Sequence, residues 1–475
     1  MINVRDFGAA GDGVTKDTAA IQKALDKGGT VVVPPGTFLA GTLYLRDNTE
    51  LHLEPGATLL ASPDPSDYNA DDYCTQNRVH TCDWASGAHF ITAVEARNVA
   101  ITGSGRIDGN RNAFFELGEW NTPIKWRPGQ MIFLCECRDV TLADVELTNY
   151  PYWCCFNHGS EYVTVRGLRV HNDRRVRNSD GLDFDCCRFV TVSDCHIDTG
   201  DDCITFRAVK SPLKTPRACE HVTVANCTMS SHCNAIRLGV GGGNIRDLLF
   251  SNISISNTPR AVVLTSSYAL PTGIKSGVEI EDVSFDHLNV ECARAFSVLS
   301  NARGRIVGPA GQPIRRIAFN HVRGTFCVGS LFQGYACGDI EALRFDDVEL
   351  TGVAVAHSPE YSEMIGEHPR FEADPAYGYF EWFSKFDPEK WEKRLNAPGL
   401  TDSDRERLTE IMRNNRAMAT PPEALRFGNV RDAVLDKVRI NWRDADPGYV
   451  ADVGMEGCEE FEFRDCRFTK GTREV

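Results

Sequence analysis

Two short acidic segments hold the residues best suited to chemistry, Asn178-Ser179-Asp180-Gly181 and Gly200-Asp201-Asp202. Aligned as equivalent strands, DGLDF from Asp180, DCITF from Asp202, NAIRL from Asn234, RAVVL from Arg260 and RAFSV from Arg294 give a column reading Asp, Asp, Asn, Arg, Arg. Neighbouring strands lie about 4.8 Å apart, so Asp180 and Asp202 would face each other, with Asp201 beside them. Carboxylates that close repel, and at least one pKa rises unless a cation or a shared proton intervenes. Two carboxyl roles at one place suit glycoside hydrolysis, in which an acid protonates the leaving oxygen and a base activates water. Each segment alone also reads as turn chemistry or amide capping. An oxygen-rich cluster of this kind equally suits calcium.

The elements that must position these groups are repeats. A thirteen-residue pattern with an apolar residue fourth, most often Val or Ile, and apolar residues alternating after it starts at Cys137, Ser160, Cys187, Cys219, Ile245, Ile280, Ile314, Ile340, Val430 and Cys458. The starts lie 23 to 35 residues apart, with one gap of 90. A period of that size marks a solenoid, whose turns bury their apolar faces only against neighbouring turns. Alternation at period two with β-branched residues is strand patterning. The expected fold is all-β, a right-handed parallel β-helix forming one domain over residues 1–475.

Residues 1–60 would cap its first turns. Asp17 is placed to cap a short helix, TAAIQKALDK, whose Ala19, Ile21, Ala24 and Leu25 follow helical spacing. Strands broken by Pro-Pro and Pro-Gly turns follow it. The gap of 90 holds an insertion over residues 353–427, aromatic and then helical in pattern, expected to form either a lid or a homo-oligomer contact.

Composition excludes several classes. A formal charge of −15 argues against nucleic acid or an anionic membrane surface as partner. No run of eighteen apolar residues suggests a membrane span. The chain opens on INVRDFG with neither a charged nor an apolar leader region, so the expected location is the cytoplasm, or else a secreted or periplasmic space after signal removal. Eighteen cysteines, several recurring at the first and ninth repeat positions, read as stacked core residues, and no zinc-finger spacing calls for a metal.

The acidic motifs, together with VRDFGAAGDGVTKDTAAIQKAL, PPGTFLAGTLYL, RIDGNR and RPGQMIFLCECRDVTL, resemble the polygalacturonases of glycoside hydrolase family 28 up to about residue 266. NSDGLD resembles that family's Asn-Thr-Asp-Gly signature and TGDDCI its Gly-Asp-Asp signature. The resemblance implies inverting hydrolysis of galacturonan without a cofactor. It makes Asp201 the general acid, Asp180 and Asp202 the groups that activate water, and Asn178 an orienting residue.

Two signatures depart from the pattern. Gly-His-Gly falls on Cys233-Asn234-Ala235, so Asn234 takes the histidine position and His232 lies two residues earlier, either swinging into the site or serving as a loop residue. Arg-Ile-Lys falls on Val263-Leu264-Thr265. Arg237, Arg260, Arg207 and Arg177, with Arg174 and Arg175, are the arginines placed to bind a substrate carboxylate instead, since guanidinium forks bind carboxylates bidentately. Their other role would be to neutralise Asp180, Asp183 and Asp185. The expected function is hydrolysis of an acidic, pectic oligo- or polysaccharide, from a chain end if the insertion closes the groove. The alternatives are a non-catalytic glycan-binding β-helix, a uronan lyase, and a hydrolase of another sugar or linkage.

Overall fold

The structure is a computed structural model that describes the chain except residues 78–84, 117–121, 124, 125, 177, 267–276, 301–311, 354–391, 394, 403, 404, 407, 408, 410–421, 444–447 and 475. The described chain groups into two compact units, Met1–Arg237 with Gly243–Ser254, and Leu238–Gly242 with Ile255–Val475. The body of the 353–427 insertion, and with it the expected lid or oligomer contact, lies outside the described residues.

In the first unit, parallel strands stack turn upon turn along three faces. One face aligns Val99, Val140, Val163, Val190, Val222 and Leu248. A second aligns Leu59, Ile107, Leu147, Val170, Ile197 and Met229. The third aligns Ile91, Ile132, Cys155, Leu182 and Ile204. The repeat register read from the sequence is therefore the pairing register: a one-residue slip would turn every apolar residue outward. Parallel strands joined by crossovers wind right-handed, and the unit is a right-handed parallel β-helix.

The second unit repeats this pattern, with Val283, Ile317, Leu343, Ala433 and Phe461 in one column. Its interior carries stacked rings, Phe285 on Phe319 at 5.2 Å and Phe332 on Phe427 at 4.7 Å. In the first unit Phe184 stacks on Phe206 at 5.4 Å. Each such buried ring contributes roughly 1.5–3 kcal/mol through burial.

The recurring cysteines pack as small core residues. Cys137, Cys187 and Cys219 are buried, and their thiols point at backbone carbonyls, Cys187 at Asn157 O at 3.2 Å. The terminal helix, α1, spans Thr18–Leu25 and buries Ile21, Ala24 and Leu25. Ala19 is exposed. Asp17 precedes α1 but makes no side-chain cap. Its carboxylate instead accepts from the amides of Ala10 at 2.7 Å and Gly11 at 2.9 Å, because the incoming loop doubles back beside the helix start and offers it two donors. Among the described residues, no helix is long and apolar enough to cross a membrane.

Candidate active site

Four strands of the third face set the site. They are β1 (Trp153–His158), β2 (Leu182–Asp185), β3 (Ile204–Ala208) and β4, which opens at Asn234. Leu182 pairs with Ile204, so Asp180 stands opposite Asp202 on successive turns, as the aligned motifs require. The main chain carries this ladder through both motifs. Cys154 N donates to Asp180 O, Gly181 N to Asp202 O and Cys203 N to Asn234 O, at 2.8–2.9 Å.

The glycines of the two motifs explain their presence by close approach. A Cβ on Gly181 would lie 2.6 Å from Cys203 O, and one on Gly200 would lie 2.5 Å from both Ser179 Oγ and Val176 O. Each motif thus presses its glycine against the turn that carries the other, and any larger residue would separate the carboxylates. Ser179 locks the contact, its hydroxyl donating to Val176 O at 2.8 Å and accepting from Gly200 N at 3.0 Å.

The three carboxyl groups share one pocket of charge. Asp202 is fully buried, and both its oxygens accept hydrogen bonds. Oδ1 takes one from Asn234 Nδ2, while Oδ2 takes one from Arg237 Nη1 at 3.0 Å and one from Thr205 Oγ1 at 3.4 Å. Asp201 is half-buried, and its Oδ1 accepts from Asp202 N at 3.0 Å. Burial and then the Asp202 charge push its carboxyl up to about 6, against the pull of Arg237. Asp180 is buried, and desolvation followed by the charges of Asp201, Asp183 and Asp202 drives it well above the carboxylate range. Positive charge inside the cluster comes from Arg237, whose side chain is 15% exposed. This arrangement holds protons on two carboxyls at mildly acidic pH beside a third bonded to a guanidinium, the asymmetry that acid–base catalysis needs.

The other residues singled out from the sequence differ in what they reach. Asn234 and Arg237 bind Asp202 directly. Asn178 sits in the left-handed region at φ 55°, which asparagine tolerates, and its Oδ1 is buried without a hydrogen-bond partner among the described residues. Arg207, Arg174 and Arg175 face other acids. Arg207 is buried beneath the cluster, its Nε 3.3 Å from Asp185 and its guanidinium 4.6 Å from the Trp153 ring centre. Arg174 reaches Asp198, and Arg175 reaches Asp173. His232 is half-buried, its main-chain amide donating to Thr199 O at 3.1 Å. Arg260 is buried in the second unit. Arg177 lies outside the described residues.

Two residues named in the sequence without a role in the site take part in it. Asp183, paired in register with Thr205 and Phe156, is fully buried with neither oxygen hydrogen-bonded among the described residues. Burial dominates and lifts it to about 8, with Arg207 opposing and Asp202 adding. Its place on the outward-facing side of β2 was readable from alternation, whereas its isolation depends on which neighbours turn away. Cys233 is the second: its thiol hydrogen-bonds the Asp201 carboxyl and lies 3.3 Å from Asn234 Nδ2.

Loss of Arg237 should be costly. Arg237→Ala leaves Asp202 buried without its cation, and breaking a buried pair costs about 3 kcal/mol. We expect a lower denaturant midpoint together with reduced kcat/KM. An unchanged midpoint in urea would show that the ion pair is not what holds Asp202.

The segment carrying these groups has relatives. Residues 69–217 match the model of glycosyl hydrolases family 28. The chain is 29% identical over 257 residues to an exo-poly-alpha-D-galacturonosidase of Dickeya chrysanthemi, covering 44% of this chain and 42% of that protein. It is 28% identical over 298 residues to a probable polygalacturonase of Vitis vinifera, covering 58% of each. The chain thus spans about half the length of these curated relatives. Among solved structures, the family 28 exopolygalacturonase of Yersinia enterocolitica has the same fold, with a TM-score of 0.63 at 20% identity over 97% of this chain and 77% of that one. The segment that positions Asp180, Asp201 and Asp202 is thus the part of the chain that resembles glycosyl hydrolases family 28.

Proposed function

We propose that the protein is a glycoside hydrolase of the polygalacturonase type that cleaves a uronic-acid-containing, pectic glycan with inversion. The observation that carries this reading is the register that sets Asp180 against Asp202 with Asp201 beside them, each in a different electrostatic setting. Asp201, protonated below about pH 6, delivers the proton to the leaving oxygen. Asp202, held by Arg237 and Asn234, orients the attacking water. Asp180 carries a proton in the free protein and shares it within the cluster, so the group titrates as a unit.

Action from a chain end is supported by the name of the Dickeya relative, an exo-poly-alpha-D-galacturonosidase. Arg237 and Asn178 are the described residues best placed to meet an acidic sugar. The reading goes with a cytoplasmic location, where a hydrolase would meet short oligosaccharides instead of whole wall polymers, and fractionation of the producing cells checks it.

The sign of the pH dependence follows from Asp201. Its proton is needed in the transition state and is lost above about pH 6, so kcat should fall roughly tenfold per pH unit beyond that point. A rate flat from pH 6 to 8 would remove Asp201 from the acid role. The reading as a whole is tested on a panel of pectic and other uronic-acid oligosaccharides, with and without chelator. New reducing ends without ultraviolet absorbance are expected, whereas an unsaturated product would identify a lyase.

A further inference from the structure

The second unit carries a cluster unrelated to the carboxylates, formed by Asp286 and His287 on one turn and His321 on the next. The register pairs Asp286 with Asn320, so His287 and His321 stand directly over each other at a strand corner. The same corner is occupied on later turns by Asp347, Lys437 and Asp465, and all five residues are left-handed, with φ between 46° and 54°. The left-handed region is enriched in Asn, Asp and His, so the backbone tolerates both histidines, and what sets this corner apart is where their side chains go.

Their side chains converge. The rings stack with centroids 4.5 Å apart and planes 24° from parallel. Nδ1 of His287 lies 3.0 Å and Nδ1 of His321 lies 2.8 Å from the same oxygen, Oδ1 of Asp286. All three atoms fall within 4.8 Å of one another. The contacts are slightly shorter than the edge of about 3.3 Å of a tetrahedron built on metal bonds of about 2.0 Å. A small outward shift of two exposed rings would open the cluster to an ion. The nearby arginines are engaged elsewhere, Arg323 and Arg439 both with Asp347 and Arg316 with Glu281 and Asp282.

We infer that Asp286, His287 and His321 form a binding site for one first-row divalent transition ion of the zinc class. Two imidazoles and one carboxylate suit zinc, cobalt, nickel or copper, and not magnesium or calcium, which take oxygen ligands. On binding, each ring gives up to solvent the Nδ1 proton that faces Asp286 in the empty site, holds its remaining proton on Nε2 and gives its Nδ1 lone pair to the metal, with water completing the shell. Because the ligands come from two successive turns, the ion would add a cross-link to neighbours already joined by the strand ladder. A ligand bound to the folded state alone raises its stability.

The test is titration of the full-length protein with zinc sulfate by calorimetry, beside His287→Asn and His321→Asn. Asparagine keeps the left-handed corner and removes the ligand. The expected result is a one-to-one binding event whose affinity drops at least about tenfold in each variant, and a zinc-dependent rise in unfolding temperature that both variants lose. Magnesium chloride should produce neither. Zinc binding of equal affinity in the variants would assign it to the thiols and overturn the proposal, as would absence of binding. Neither outcome touches the hydrolase reading, which rests on the other unit.

Discussion

Asp201→Asn should lower kcat by about a thousandfold or more, the upper part of the range for a lost general acid, with little change in KM. An acid that acts on the leaving oxygen contributes to the transition state and hardly to substrate binding, so the loss falls on kcat. The fold should be untouched, for reasons visible at the residue. The Asp201 carbonyl is held by the hydroxyls of Thr199 and Ser231 whatever the side chain. The Asp202 amide, which now donates to Asp201 Oδ1, finds the same acceptor in an asparagine. An unchanged thermal midpoint with lost turnover supports the role, and a variant that turns over normally excludes it.

The second large effect concerns stability. Asp183 is fully buried without a hydrogen bond, and its carboxyl is lifted from the ordinary 3.8 to about 8. Between those values the folded protein holds a proton there that the unfolded chain releases. Unfolded protein then binds fewer protons, so stability falls as pH rises from about 4 to about 8 and is flat outside that window. Asp183→Asn removes the ionisation and with it this slope. At pH 8 the variant should be more stable than the parent by a few kcal/mol, since a buried ion without hydrogen bonds is strongly disfavoured. At pH 4, where the parent carboxyl is neutral, the two should nearly coincide. Urea unfolding at both pH values measures the difference, and a variant equally or less stable at pH 8 would mean that Asp183 is ionised and satisfied.

Much of this architecture was legible because stacking imposes strict rules. The alternating positions of the thirteen-residue pattern are the paired columns, and aligning the segments after each copy places Asp180 over Asp202, as the register does. What alternation cannot reveal is which long side chain reaches which partner. Arg207 and Arg237 both point outward from adjacent strands, yet the first lies under Trp153 against Asp185 and the second reaches Asp202. The same limit applies at Asp17, where helix grammar called for a cap and the returning Ala10–Gly11 loop supplied better donors. It applies again at Asp183, whose pKa depends on the absence of neighbours more than on their identity. Substitution at the histidine signature also acquires a physical account. Asn234 donates to Asp202 and contacts Cys233, whose thiol meets Asp201, so this pair of residues ties the two carboxyls together.

The most direct test of paired-carboxylate hydrolysis is the anomeric configuration of the first product, followed by proton NMR immediately after mixing the protein with a short galacturonide. Release of a saturated sugar whose new reducing end has the anomer opposite to the cleaved linkage, lost in Asp201→Asn, is the result this account predicts. Retention of configuration, an unsaturated product, or equal release by Asp201→Asn would contradict it.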